Sequence, residues 1–184
     1  MGTNKALLPV SQAETLVARV VTNLRNLSND VILVSNTPDL FAGLPVRHFA
    51  DIFQGAGPLA GLHAGLIAAN HRWAFVTACD MPLVDQRLVR YMVLLTEGYD
   101  VVAPRVGDAV EPLHAVYNQS CVPAIESRLQ AGQRRVISFF PDVRVRYVDG
   151  REIAIFDREG RSFANANTPE DWERLRALLA QGRT

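Results

Sequence analysis

The chain has 184 residues, 19 basic against 19 acidic side chains, and 48% apolar composition. That length suits a single domain with a sizeable core, and the balanced charge argues against a nucleic-acid-binding surface or a supercharged tail. No run approaches the ~20 apolar residues of a membrane span, and no apolar signal-peptide core opens the chain.

The opening Met1-Gly2-Thr3-Asn4-Lys5-Ala6-Leu7-Leu8 carries no strand before it, which is unusual for an α/β domain. Lys5 follows a small, polar segment, so it reads either as a phosphate-reaching lysine or as a solvated one. From Ser11 the pattern turns helical, with Leu16, Val17, Val20, Val21, Leu24 and Leu27 forming one apolar stripe. Residues 31–35 read as a buried strand ending at Asn36, and residues 46–50 as a shorter strand ending at Asp51. Gln54-Gly-Ala-Gly57-Pro58-Leu-Ala-Gly61 is the richest glycine segment, leading into a helix over residues 62–69. Glycines let backbone amides approach a ligand, and a helix N-terminus favours anions; a tight turn with a closely packed helix start is the plainer account. Neither the dinucleotide nor the P-loop fingerprint is present.

The chain is organised around Trp73-Ala-Phe-Val-Thr-Ala-Cys-Asp80-Met-Pro-Leu83. Its nearly all-apolar run reads as a strand buried on both faces, as in a parallel sheet. Asp80 would then sit at the carboxyl end of the strand, where open α/β sheets bind ligands. A carboxylate there suits Mg²⁺, which takes few protein ligands and keeps several waters; an aspartate that only caps the next helix is the alternative. In a parallel sheet Asn36, Asp51 and Asp80 would share one edge. That convergence says more than any of the three alone.

Downstream, residues 86–95 read as a helix and 100–104 as a strand, with a polar hairpin or loop over 105–111. Residues 112–117 return as a strand, so the sheet is mixed. His114 inside that strand reads as a satisfied, partly buried histidine ahead of a base or ligand. A helix over 122–131 closes at Gly132, and Arg134 and Arg135 flank the turn, placed either to meet a substrate phosphate or to lie on a solvated face. A strand follows over 143–148. Thr168-Pro169-Glu170-Asp171 reads as a capped helix start, which leaves Asn165 and Asn167 unexplained and free to point amides at a ligand. Cys79 and Cys121 read as two buried free thiols, in keeping with a reducing cytoplasm. The expected fold is a three-layer α/β/α, Rossmann-like domain with a mostly parallel, mixed sheet. Without a G-x-S-x-G or a Cys–His–carboxylate set, its carboxylate, lysine and glycine amides suit phosphoryl or nucleotidyl transfer with Mg²⁺.

Five stretches in order, namely the Met1-Gly2-x-x-Lys5 opening, residues 51–61, Cys79-Asp-Met-Pro82, residues 111–117 and Asn165-Ala-Asn-Thr-Pro-Glu-Asp171, resemble the molybdenum cofactor guanylyltransferases along essentially the whole chain. The Gly-Pro-Leu-Ala-Gly and Cys-Asp-Met-Pro segments are the more specific. The resemblance implies transfer of GMP from GTP to molybdenum-carrying molybdopterin, with release of pyrophosphate. It implies that Asp80 holds Mg²⁺ and that Lys5 meets the GTP phosphates. It also implies that Asp51 lies in the guanine pocket with Asn36 nearby, and that the Gly57–Gly61 loop borders the nucleotide. Asn165 and Asn167 follow as further contacts to metal or pterin-side phosphate, and Arg134 and Arg135 as pterin-phosphate ligands. Molybdenum-insertion proteins or molybdoenzyme chaperones follow as transient partners. Two departures stand out. The family's opening strand and most of its glycine-rich loop are represented only by Met1-Gly2, so the chain is expected to start late within a domain spanning 1–184. Asn4 also stands where the family usually has an acidic residue. A cytidylyltransferase acting on the same pterin and a non-catalytic relative are the rival readings.

Overall fold

The computed structural model describes residues 5–11 and 13–181; Met1–Asn4 of the expected opening lie outside them. Nine strands and six α-helices form among these residues. The first strands, β1 (Pro9–Ser11) and β2 (Glu14–Thr15), pair as a hairpin, so the helical reading from Ser11 is corrected. Thr15 sets the start: its hydroxyl accepts from the Ala18 N–H at 3.4 Å, so α1 begins one residue later, as Leu16–Arg25. An N-cap of this kind satisfies one of the donors a helix start leaves free.

Strands β3 (Ile32–Val34) and β4 (Arg47–Phe49) run parallel in the register Leu33 to His48. Helix α2 (Pro58–Ala68) then starts four residues sooner than the sequence pattern suggested. Gly57 enters it with φ 72° and ψ −159°, a conformation open to glycine, and Pro58 presets the first helical position. Gly61, expected in the glycine-rich segment ahead of the helix, and Gly65, expected within it, both lie inside α2. A methyl group on Gly65 would lie 3.6 Å from Val34 Cγ2.

The larger sheet is mixed, as anticipated. In it β8 (His114–Asn118) lies between β5 (Trp73–Thr77) and β6 (Val101–Val106), antiparallel to both. Strand β9 (Val145–Val148) runs parallel to β6, and β7 (Ala109–Val110) folds back on the last two residues of β6. Period-two alternation divides the core. Ala103, Ala115 and Tyr117 pack under α2 and α4 (Val122–Gln130) on one face. Val102, Val116 and Val148 pack under α3 (Gln86–Leu94) and α5 (Gly150–Ala154) on the other. Helix α6 (Pro169–Gln181) closes over α1 through Leu175 and Leu179. Its start carries the expected reciprocal cap: Asp171 N–H donates to the Thr168 hydroxyl and Thr168 N–H to the Asp171 carboxylate. The architecture is the expected three-layer α/β/α arrangement.

Two expectations about β5 and β8 need correcting. Strand β5 is not buried on both faces: all five residues are half-buried, whereas β8 is buried throughout. The cause is position. Among the described residues β5 pairs only with β8 and β3 only with β4, and an apolar slot of about 790 Å³ separates β3 from β5. His114, in turn, is not a satisfied histidine. It is fully buried, and neither ring nitrogen has a hydrogen-bond partner among the described residues.

Candidate functional site

Two strands deliver the site's polar groups to one edge. The chain leaves β5 through Ala78 and Cys79 into Asp80, and the turn is closed by Met81 N–H donating to Ala78 C=O at 3.2 Å. It leaves β3 through Ser35, whose N–H donates to Phe49 C=O at 2.8 Å. Lys5, Ser35, Cys79 and Asp80 thereby line one cleft of about 270 Å³. No hydrogen bond or ion pair among the described residues engages the Asp80 carboxylate. Burial, and secondarily that carboxylate, push the Cys79 thiol up to about 11, so it stays protonated near neutral pH and is a poor nucleophile.

Beyond Ser35 the backbone reaches Asn36, which grips Asp51 twice. Asn36 Nδ2 donates to Asp51 Oδ2 at 2.9 Å, and Asp51 N–H donates to Asn36 Oδ1 at 3.0 Å. The parallel pairing of β3 and β4 makes this possible, because both strands end at the same level. The other carboxylate oxygen, Oδ1, lies 3.8 Å from where a methyl group on Gly61 would sit. The first turn of α2 thus lies against the Asp51 carboxylate.

The C-terminal asparagines reach the same edge. Lys5 Nζ donates to Asn167 Oδ1 at 2.9 Å, and Asn167 Nδ2 donates to Asn165 Oδ1 at 3.0 Å. Arg134 packs over the glycine turn, with its Cβ 3.7 Å from where one on Gly57 would sit. Arg135 has no such contact and ends exposed at the start of the next turn. Of the sequence candidates, the structure brings together Lys5 with Asp80 and Asn167, Asn36 with Asp51, and Gly57 with Arg134. It leaves Arg135 outside these groupings. Ser35 was missed; the available signal was its place as the last residue of the strand whose next residue, Asn36, had been singled out.

Gly57→Ala is expected to lose about 1–3 kcal/mol of stability, because its conformation is open essentially only to glycine. Chemical unfolding measures this, and an unchanged midpoint would mean that the turn relaxes without strain.

Among the described residues no three His, Cys, Asp or Glu side chains converge as a metal cage. Asp80 is the carboxylate in this cleft that could hold a divalent ion shared with substrate phosphates, with Lys5 lining the same cleft.

Residues 1–146 match the family model described as the MobA-like NTP transferase domain. The chain is 39% identical over 184 residues, all of its length and 89% of the other, to a protein of Pelotomaculum thermopropionicum named probable molybdenum cofactor guanylyltransferase. It is 33% identical over 183 residues, 99% of its length and 90% of the other, to the molybdenum cofactor guanylyltransferase of Desulfosudis oleivorans. Among solved structures, molybdopterin-guanine dinucleotide biosynthesis protein A from Archaeoglobus fulgidus superposes with a TM-score of 0.85 at 25% identity, covering 98% of this chain and 92% of that one.

Proposed function

Because this chain belongs to the MobA-like NTP transferases, the family of the molybdenum cofactor guanylyltransferases, we propose that it transfers GMP from GTP to molybdenum-carrying molybdopterin. A terminal phosphate oxygen of the pterin attacks the α-phosphorus of GTP. A new phosphoanhydride bond forms, the α–β bond breaks, and pyrophosphate leaves with the bonding electron pair. Such transfers are governed by positioning and charge neutralisation.

The observation that carries this reading is Lys5 and Asp80 lining one cleft at the carboxyl end of β3 and β5, one residue from the Asn36–Asp51 pair. Lys5 binds the triphosphate as a point charge, and Asn167 fixes where its ammonium sits. Asp80 holds Mg²⁺, which when bound supplies Lewis-acid neutralisation of phosphate charge. Asn36 holds Asp51 with one carboxylate oxygen left over, suited to accept from the N–H edge of guanine. The backbone of the Gly57–Gly61 segment, at the positive end of α2, borders the nucleotide phosphates. Arg134, beside Gly57, and Asn165 face the pterin-side phosphate; Arg135 joins them only if its turn moves. No helix among the described residues is long and apolar enough to cross a membrane, and the cytoplasm, with molybdoenzyme chaperones as transient recipients, is the setting that suits this chemistry.

The test is Mg²⁺-dependent pyrophosphate release with molybdopterin present, run with GTP and with CTP. Release with GTP alone supports the proposal, release with CTP points to the cytidylyl reaction, and pterin binding without turnover points to a binding protein. Asn167→Ala is expected to lower kcat/KM for GTP about tenfold, the value of one charge-assisted hydrogen bond. Unchanged kinetics would mean that Lys5 finds its position without the tether.

A further inference from the structure

Helix α2 (Pro58–Ala68) is apolar except for His63, its only polar side chain, and that residue is 1% exposed. Its Nε2 lies 2.9 Å from Glu126 Oε1 on α4, and because an ionised carboxylate only accepts, the Nε2–H donates. Nδ1 is buried with no hydrogen-bond partner among the described residues. An unpaired buried nitrogen costs about as much as one hydrogen bond returns, so the pair gains little as a device for stability.

What the pair does is set where two helices stand. Gln119 Nε2 donates to the Leu66 and Ala69 carbonyls at 3.0 and 2.8 Å, at the far end of α2. Glu126 meets His63 in the middle of the helix, and Arg134 stands over Gly57 at its start. The chain from 119 to 134 therefore runs antiparallel along α2. Between Glu126 and Arg134 it has little freedom. Gly132, at φ 75°, donates its N–H to Leu129 C=O, and Gln133 N–H donates to Arg128 C=O, both at 2.9 Å. These paired bonds lock the turn onto the end of α4, so Arg134 moves with the helix. The His63 ring also meets Phe53 edge-on, with centroids 5.1 Å apart, in the segment that joins Asp51 to the glycine turn.

We propose that Glu126 and His63 are positioning residues which, on the GMP transfer proposed above, hold Arg134 over the Gly57 turn so that the acceptor phosphate meets GTP. Neither touches substrate: His63 is buried and lies about 9 Å along the helix from Gly57. An acceptor at position 126 keeps α4 in this register, and its charge is not required. The Glu126 side chain is 41% exposed, so alanine there opens no buried cavity.

The experiment compares Glu126→Ala and Glu126→Gln, alone and with Arg134→Ala. It reads steady-state pyrophosphate release and the Gly57 amide resonance of ¹⁵N-glycine-labelled protein. Glu126→Ala is expected to raise KM for molybdopterin about five- to tenfold, the effect of one hydrogen bond, with KM for GTP held within about twofold. The Gly57 resonance should move with it. Glu126→Gln, whose amide oxygen still accepts from Nε2–H, should restore both. Added to Arg134→Ala, Glu126→Ala should raise KM no further, because both changes act through one guanidinium. The proposal is overturned by an unmoved Gly57 resonance in Glu126→Ala, by additive KM changes, by a glutamine variant no better than alanine, or by Arg134→Ala leaving KM for molybdopterin unchanged. A parent inert with GTP and molybdopterin rejects the transfer instead, and the Gly57 resonance then still decides whether the pair holds the turn.

Discussion

Asp80→Asn is expected to lower the rate of GTP-dependent pyrophosphate release by about 10²- to 10³-fold, or about 3–4 kcal/mol of barrier. Stability should hardly change. Asparagine keeps the shape of the side chain, and the turn is closed by the Met81 N–H and Ala78 C=O rather than by the carboxylate. No ion pair among the described residues is lost with the charge, so none is left half-broken in a buried site. What goes, on the proposed function, is the carboxylate that would hold a divalent ion in the cleft it shares with Lys5. Initial rates and thermal melts on the same preparations check this. A melt shifted by more than a few degrees would make Asp80 structural, and undiminished rates would remove it from the chemistry. Raising Mg²⁺ should restore part of the variant's rate, because asparagine still offers one neutral oxygen.

Much of this arrangement was legible because strand ends are chemically abrupt. Asn36, Asp51 and Asp80 each interrupt an apolar run with a polar side chain, and parallel strands deliver such residues to one edge. Thr168 and Asp171 were legible for a similar reason, since a cap is a local contract between neighbours in sequence. What failed depends on residues far apart in the chain. The β1–β2 hairpin competes with a helical periodicity that really exists, and only the Thr15 cap decides where one gives way to the other. The early start of α2 is set at Gly57, whose φ of 72° and ψ of −159° belong to the turn that the fold makes there, with Pro58 as the first helical residue. The half-buried state of β5 could not be read from Trp73–Thr77, because the composition of a strand says nothing about whether both its edges are covered. Arg134 and Arg135 look alike in sequence, yet one packs over Gly57 and the other does not.

The second large effect concerns His114, placed by its pairing with Thr77 in the interior of the sheet. Its ring stands edge-on between Phe75 and Phe163, with centroids at 5.0 and 5.1 Å. Burial pushes its pKa down to about 4 from 6.5, against the weaker upward pull of the Asp157 and Asp85 carboxylates. Both carboxylates are otherwise engaged: Asp157 accepts from the Arg161 and Ser162 backbone N–H groups, and Asp85 from Arg87. The folded protein thus keeps this imidazole neutral where the unfolded chain would protonate it. The sign follows: stability is fully present above 6.5 and is lost as the pH falls from 6.5 towards 4, by up to about 3 kcal/mol. Asp30, Asp85, Asp100 and Glu152 have lowered pKa values, so they lose their contributions at more acid pH. His114→Leu should leave stability at pH 7 unchanged or raised, because it removes two buried ring nitrogens without partners. It should also flatten the decline between pH 6.5 and 4.5. Urea unfolding at both values, for parent and variant, measures the difference, and equal declines would mean that the imidazole finds a proton-accepting partner or water on acidification.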